Sequence, residues 1–117
     1  MQLNLHELVQ EMLTRSAMLD ESIKELEEQT RKWAVADHTY RKQRAKAYLA
    51  AEGETVGHRE AETSQATQRE RFAAKLSEGL KVAALESVRS RRAQLSAVQS
   101  IANAVKAEAM LAGVGGP

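Results

Sequence analysis

The sequence predicts an all-α protein: a long antiparallel helical hairpin, a coiled coil assembled into a dimer or a larger helical bundle. Three observations carry that expectation. Leu5, Met12, Leu19, Leu26, Trp33, Tyr40 and Ala47 recur every seven residues. A second column, Val9, Ser16, Ile23, Thr30, Asp37, Arg44 and Ala51, follows each by four, the alternating four-and-three step of a helix packed along a partner helix. Pro occurs once, at the C-terminus, and no run is rich in Val, Ile, Thr and aromatics, so the chain offers no candidate strand. A single internal cluster, Gly53 to Gly57, has the residues needed to reverse the chain.

The 117 residues read as one domain. Asn4, followed three residues later by Glu7, has the form of a capping box and places the start of helix one near Leu5. No breaker follows until Gly53, where Ala-Ala-Glu-Gly reads as a C-cap, so helix one is expected over about 5–52, roughly 70 Å at 1.5 Å per residue. The turn is expected at 53–57, with Thr55 as N-cap of the next helix. Helix two is expected over about 58–111, with Gly79 as an interior weak point, and 112–117 as a frayed tail.

The expected seam of helix two is Phe72, Leu76, Leu80, Ala84, Val88, Arg91, Leu95, Val98, Ala102, Val105 and Ala109. Folding the chain back at Thr55 pairs positions whose numbers sum to about 110, such as Leu5 with Val105, Met12 with Val98, and Leu19 with Arg91. The strongest apolar seam residues are then Leu5, Val9, Met12, Leu19, Ile23, Leu26 and Trp33 against Leu76, Leu80, Val88, Leu95, Val98 and Val105. Toward the turn the columns become polar, with Asp37, Tyr40 and Arg44 facing Thr63, Thr67 and Glu70. Two helices burying one narrow seam form a marginal core, so self-association is expected.

Composition narrows the function. Aromatics are 3% and cysteine is absent, which excludes disulfides and thiol chemistry and suits a cytoplasmic protein. The acidic N-terminal stretch MQLNLHELVQEML is not expected to be a signal peptide, and no apolar run approaches the ~20 residues of a membrane span. Net charge is +1 but polarised. Residues 1–30 carry seven acidic against two basic side chains, and residues 31–46 carry six basic against one acidic. The narrow seam and acidic first third argue against a membrane surface.

The most suggestive segment is Trp33 to Tyr48, where bases interleave with Trp33, Tyr40 and Tyr48, the combination that single-stranded nucleic acids require. The same segment also reads as a solvated, ion-paired helix face. Glu28 precedes Lys32, and Asp37 precedes Arg41, by the four residues that favour intrahelical pairs, and Glu62 and Glu70 are expected to neutralise more of the charge. The expected contact residues for nucleic acid or another partner are Arg41, Lys42, Arg44, Lys46 and Tyr48. Arg91 is expected to pair with the acidic stretch near Leu19, Asp20 and Glu21. His6, His38 and His58 lack partners at metal-ligand spacing, no glycine motif cradles phosphate, and no catalytic residues are expected. Neither cofactor nor metal is expected.

Tyr40 to Leu49 reads Tyr-Arg-x-x-Arg-Ala-x-Ala-Tyr-Leu. It is followed by the turn Gly53 to Gly57, an Arg-Glu-Ala segment at Arg59 to Ala61, and a serine-bearing helix from Ala84 to Met110 that ends in Ala-Glu-Met. This pattern, from Tyr40 to Gly113, resembles small phage and prophage helical-hairpin proteins. The genes of that family tend to lie among those of recombination and replication, which implies an accessory role in DNA transactions. The turn Ala51-Glu52-Gly53-Glu54, with Trp33 well upstream, departs from the secreted WXG-type hairpins. The expected function is therefore that of a non-enzymatic, self-associating phage or prophage accessory in DNA recombination or replication, contacting single- or double-stranded DNA or a DNA-bound protein. The alternative is a pure protein-interaction module: a scaffold, a virion chaperone or an inhibitor of a host defence complex, with a host or phage protein as partner.

Overall fold

The structure, a computed structural model, describes residues 4–114. These form three helices, α1 (Leu5–Ala50), α2 (Val56–Ala66) and α3 (Gln68–Val114), and no strand occurs among the described residues. The start of α1 is a reciprocal capping box. Asn4 Oδ1 accepts from the Glu7 amide at 2.8 Å, and Glu7 Oε2 accepts from the Asn4 amide at 3.3 Å, satisfying two donors that the first turn leaves open.

The reversal occupies residues 51–55, two earlier than expected, because Thr55 Oγ1 accepts from the His58 amide at 3.1 Å and starts α2 at Val56. Gly53 does not serve through a left-handed backbone, since no described glycine has positive φ. Its role is close approach: a Cβ there would lie 2.7 Å from His58 Cβ and 3.0 Å from the Arg59 amide nitrogen. Gly53 O accepts from Arg59 Nε at 2.8 Å, and the Glu52 amide donates to Glu62 Oε2 at 3.1 Å, so both sides of the turn are tied down.

The expected second helix is two helices, interrupted at Thr67. There φ is −116° and ψ 19°. Thr67 donates both its amide (3.1 Å) and its hydroxyl (2.7 Å) to Thr63 O, and Thr63 Oγ1 donates to Arg59 O at 2.7 Å. Successive hydroxyls bonding back to carbonyls four residues earlier bend and break a helix. Gly79 lies within unbroken α3, with open space where a Cβ would stand. Residues 112–114, expected to fray, are helical, and 115–117 lie outside the described residues.

The chain divides into two compact units. The first joins the described part of Met1–Glu25 to that of Leu85–Pro117, and the second is Leu26–Ala84. In the first unit α1 and α3 run antiparallel, since Arg15 Nη1 donates to Gln94 Oε1 at 2.8 Å and Arg91 Nη1 to Met18 O at 3.4 Å. Both pairs sum to 109, one short of the expected register. The second unit is itself a helical hairpin, the second half of α1 returning through α2 and the start of α3.

Burial locates the seams. On α1 the inward positions are Leu8, Met12, Arg15, Leu19 and Ser22 in the first unit, and Leu26, Gln29, Trp33, Ala36, Tyr40, Gln43 and Ala47 in the second. The column of Met12, Leu19, Leu26 and Trp33 is thus inward as expected. Its companion is the column three residues after it, led by Leu8 (1% exposed), rather than the column of Val9 (40% exposed). Leu5, also expected in the seam, is exposed. Ile23 is half-buried.

On α3, Val88 and Ala102 are buried and Leu95, Val98 and Val105 half-buried, as the sequence predicts. Before Ala84 the expected seam fails. Phe72, Leu76 and Leu80 are 70%, 54% and 48% exposed, and the inward positions are Ala74, Ser77 and Lys81. At 100° per residue a step of four overshoots a turn by about 40°, so the four successive steps from 72 to 88 walk about 160° around the helix. The step of four must alternate with three, and counting back from Ala84 in that way reaches 81, 77, 74, 70, 67 and 63.

Candidate interaction surface

The second half of α1 presents the residues the sequence singles out. Arg41 and Arg44, one turn apart, rise on the same side as Ala45, Tyr48 and Leu49, and α2 brings Glu60 against them. Together these six residues line an open groove of about 520 Å³. Leu49, 87% exposed, and half-buried Tyr48 make its wall largely apolar, with guanidinium groups at its edge.

Most of that positive charge is engaged. Arg41 Nε pairs with Asp37 Oδ2 at 3.0 Å. Arg44 Nη2 pairs with Glu60 Oε2 at 3.0 Å, and its Nη1 donates to the Tyr40 hydroxyl at 3.1 Å. The Tyr40 contact, reinforced by Glu60, holds the Arg44 guanidinium above its ordinary pKa, so it stays charged at any working pH. Glu28 and Lys32 pair at 3.3 Å, as spacing predicts. Lys42 and Lys46 are exposed and make no ion pair among the described residues. Of the five expected contact residues, then, Arg41, Arg44 and Tyr48 share the groove, while Lys42 and Lys46 supply the unneutralised charge.

Several partners escaped the sequence. Glu60, rather than Glu62 or Glu70, meets Arg44, because Glu62 turns back to the Glu52 amide. Lys81 sets its ammonium 3.6 Å from the centre of the Trp33 ring, a cation–π contact inside the hairpin. The three-and-four alternation carried back from Ala84 would have found Lys81; Glu60 follows only from the course of the turn. Arg91 does not pair with Asp20 or Glu21. Both are exposed, and the seam position aims Arg91 at the α1 backbone, where it meets the Met18 carbonyl. Among the described residues no group of three or more His, Asp or Glu side chains has the placement to hold a metal ion. No described helix is long and apolar enough to cross a membrane.

The fold and surface define an all-α protein built from an antiparallel helix pair and a helical hairpin. Compared with known proteins, the chain matches no family model, no curated protein and no solved structure.

Proposed function

We propose that this protein is a self-associating helical interaction module, acting by assembly and docking rather than by catalysis. One observation carries the reading: the imbalance between apolar side chains buried and left outside. Among the described residues the buried hydrophobic ones are Leu8, Val88 and three alanines, Ala74, Ala84 and Ala102, whereas thirteen large hydrophobic residues are exposed. A methylene group contributes about 0.8 kcal/mol on burial, so three alanines add little, and Phe72, Leu76 and Leu80 add most once a partner covers them. Phe72, Leu76 and Leu80 recur at four-residue spacing along α3, and an apolar patch of that kind supports association.

Sedimentation equilibrium over a wide concentration range tests the reading. Association beyond the monomer is the expected result, and a monomer at every concentration would sink it.

A second reading, the DNA-accessory role of the phage proteins that the sequence resembles, is favoured by exposed Lys42 and Lys46 beside the Arg41–Tyr48 groove. Fluorescence anisotropy with labelled single- and double-stranded DNA should then show binding that weakens steeply with salt. The double substitution Lys42→Glu/Lys46→Glu should abolish it, and binding retained by that variant would remove this site.

A further inference from the structure

Along its first half α3 carries two stripes. One turns inward through Ala74, Ser77, Lys81 and Ala84. The other, Arg69, Phe72, Leu76, Gly79, Ala83 and Glu86, steps by the same alternation of three and four residues, lies about 140° around the helix, and is exposed at every position. Phe72 and Leu76 are 70% and 54% exposed, and Leu80 on the flank is 48% exposed. Gly79 stands in the middle, where a Cβ would have nothing within 4 Å.

The order of side chains along this outer stripe determines what fits it. It begins with a cation and two large apolar residues and ends with two small residues and an anion, so turned end for end it is its own complement. In an antiparallel pairing of two copies, facing positions have numbers that sum to 155. Phe72 then meets Ala83 of the second copy, Leu76 meets Gly79, and Arg69 meets Glu86, each pair occurring twice about the two-fold axis. On the flanks Leu80 falls beside Ala73 and Lys75 beside Val82, so no like charges meet. Glu86 bonds Arg89 through Oε1 at 2.8 Å, which leaves Oε2 for Arg69. A parallel pairing sets Phe72 on Phe72, Arg69 on Arg69 and Glu86 on Glu86, which crowds the large side chains and repels at both ends. A polyanion such as DNA gains at Arg69 what it loses at Glu86.

We propose that this stripe is the self-association surface: two copies pack α3 on α3, antiparallel, across a two-fold axis between Leu76 and Gly79, with each Gly79 admitting Leu76 of the other copy. The proposal rests on the self-association reading and adds the surface, the orientation and the register.

Sedimentation equilibrium of the full chain and its variants tests it, with circular dichroism to follow helicity. Gly79→Leu enters open space, replaces a poor helix former with a good one and enlarges the apolar patch, so helicity is retained and any unspecific apolar association tightens. In the proposed register the new side chain stands where Leu76 of the other copy packs, and association weakens on the order of 100-fold. Association unaltered or tighter in this variant would overturn the surface and leave the self-association reading standing, whereas a wild-type monomer would overturn both. Arg69→Glu should weaken association about 10-fold, and the double substitution Arg69→Glu/Glu86→Arg should restore it. A single variant without effect, or a double variant as weak as the single, would overturn the antiparallel register.

Discussion

Among the described residues each unit buries four side chains, but the chemistry differs. The first buries Leu8, Ser22, Val88 and Ala102; the second buries Thr63, Thr67, Ala74 and Ala84. Around these, the first unit arranges Met12, Leu19, Leu95 and Val98 half-buried, while the second arranges Trp33, Tyr40, Ser77 and Lys81. Hydrophobic transfer therefore dominates the first interior. The second is held by directional bonds: the Thr67 and Thr63 hydroxyls on carbonyls, Lys81 over Trp33, and Arg44 between Tyr40 and Glu60. Its large apolar residues, Phe72, Leu76, Leu80, Val35 and Leu49, stand outside. One helical chain thus solves the same packing problem in two ways, and both leave apolar surface outside, since Leu5, Val9, Leu13, Ile101, Met110 and Leu111 of the first unit are exposed as well. Small buried side chains suit such pairs because they set how closely two helices approach.

Substitutions probe that contrast, in descending order of effect. Leu8→Ala removes the largest fully buried side chain of the first unit and should cost about 2–4 kcal/mol in urea denaturation. A cost near zero would mean that the first interior is not sustained by hydrophobic burial. Gly53→Ala forces a methyl against His58 Cβ and the Arg59 amide, and about 1–3 kcal/mol should be lost as the turn shifts. The second unit should report this first, through a change in Trp33 fluorescence. Thr67→Val keeps shape but removes one hydroxyl donor from Thr63 O, which retains the Thr67 amide, so the loss should be about 1 kcal/mol. A gain in stability would show that the second unit tolerates an apolar interior and that its polar residues serve another purpose.

Much of the fold was legible in the residues because its signals are local. The Asn4–Glu7 capping box, the Thr55 cap, the Asp37–Arg41 and Glu28–Lys32 pairs and the central column of α1 depend on neighbours within one or two turns. The break at Thr67 was missed because a threonine inside a helix is ordinary. It becomes a break when two hydroxyls in succession bond back to the chain. The candidate surface was half legible. Arg41, Arg44 and Tyr48 do share one groove, yet Arg44 is neutralised by Glu60, a residue that the Gly53 turn alone brings near.

By itself the sequence determined helix identity, the start of α1, the antiparallel register within one residue in the first unit, and the central column, since these follow from periodicity and capping. Tertiary structure decided which of two equally regular flanking columns on α1 turns inward, and it turned Phe72, Leu76 and Leu80 outward on α3. The physical reason is rotational. Heptad spacing sets the pitch of a stripe, but neighbouring stripes have the same pitch and differ only in phase. The phase observed is the one that buries the small side chains Ser22, Ala74, Ala84 and Ala102.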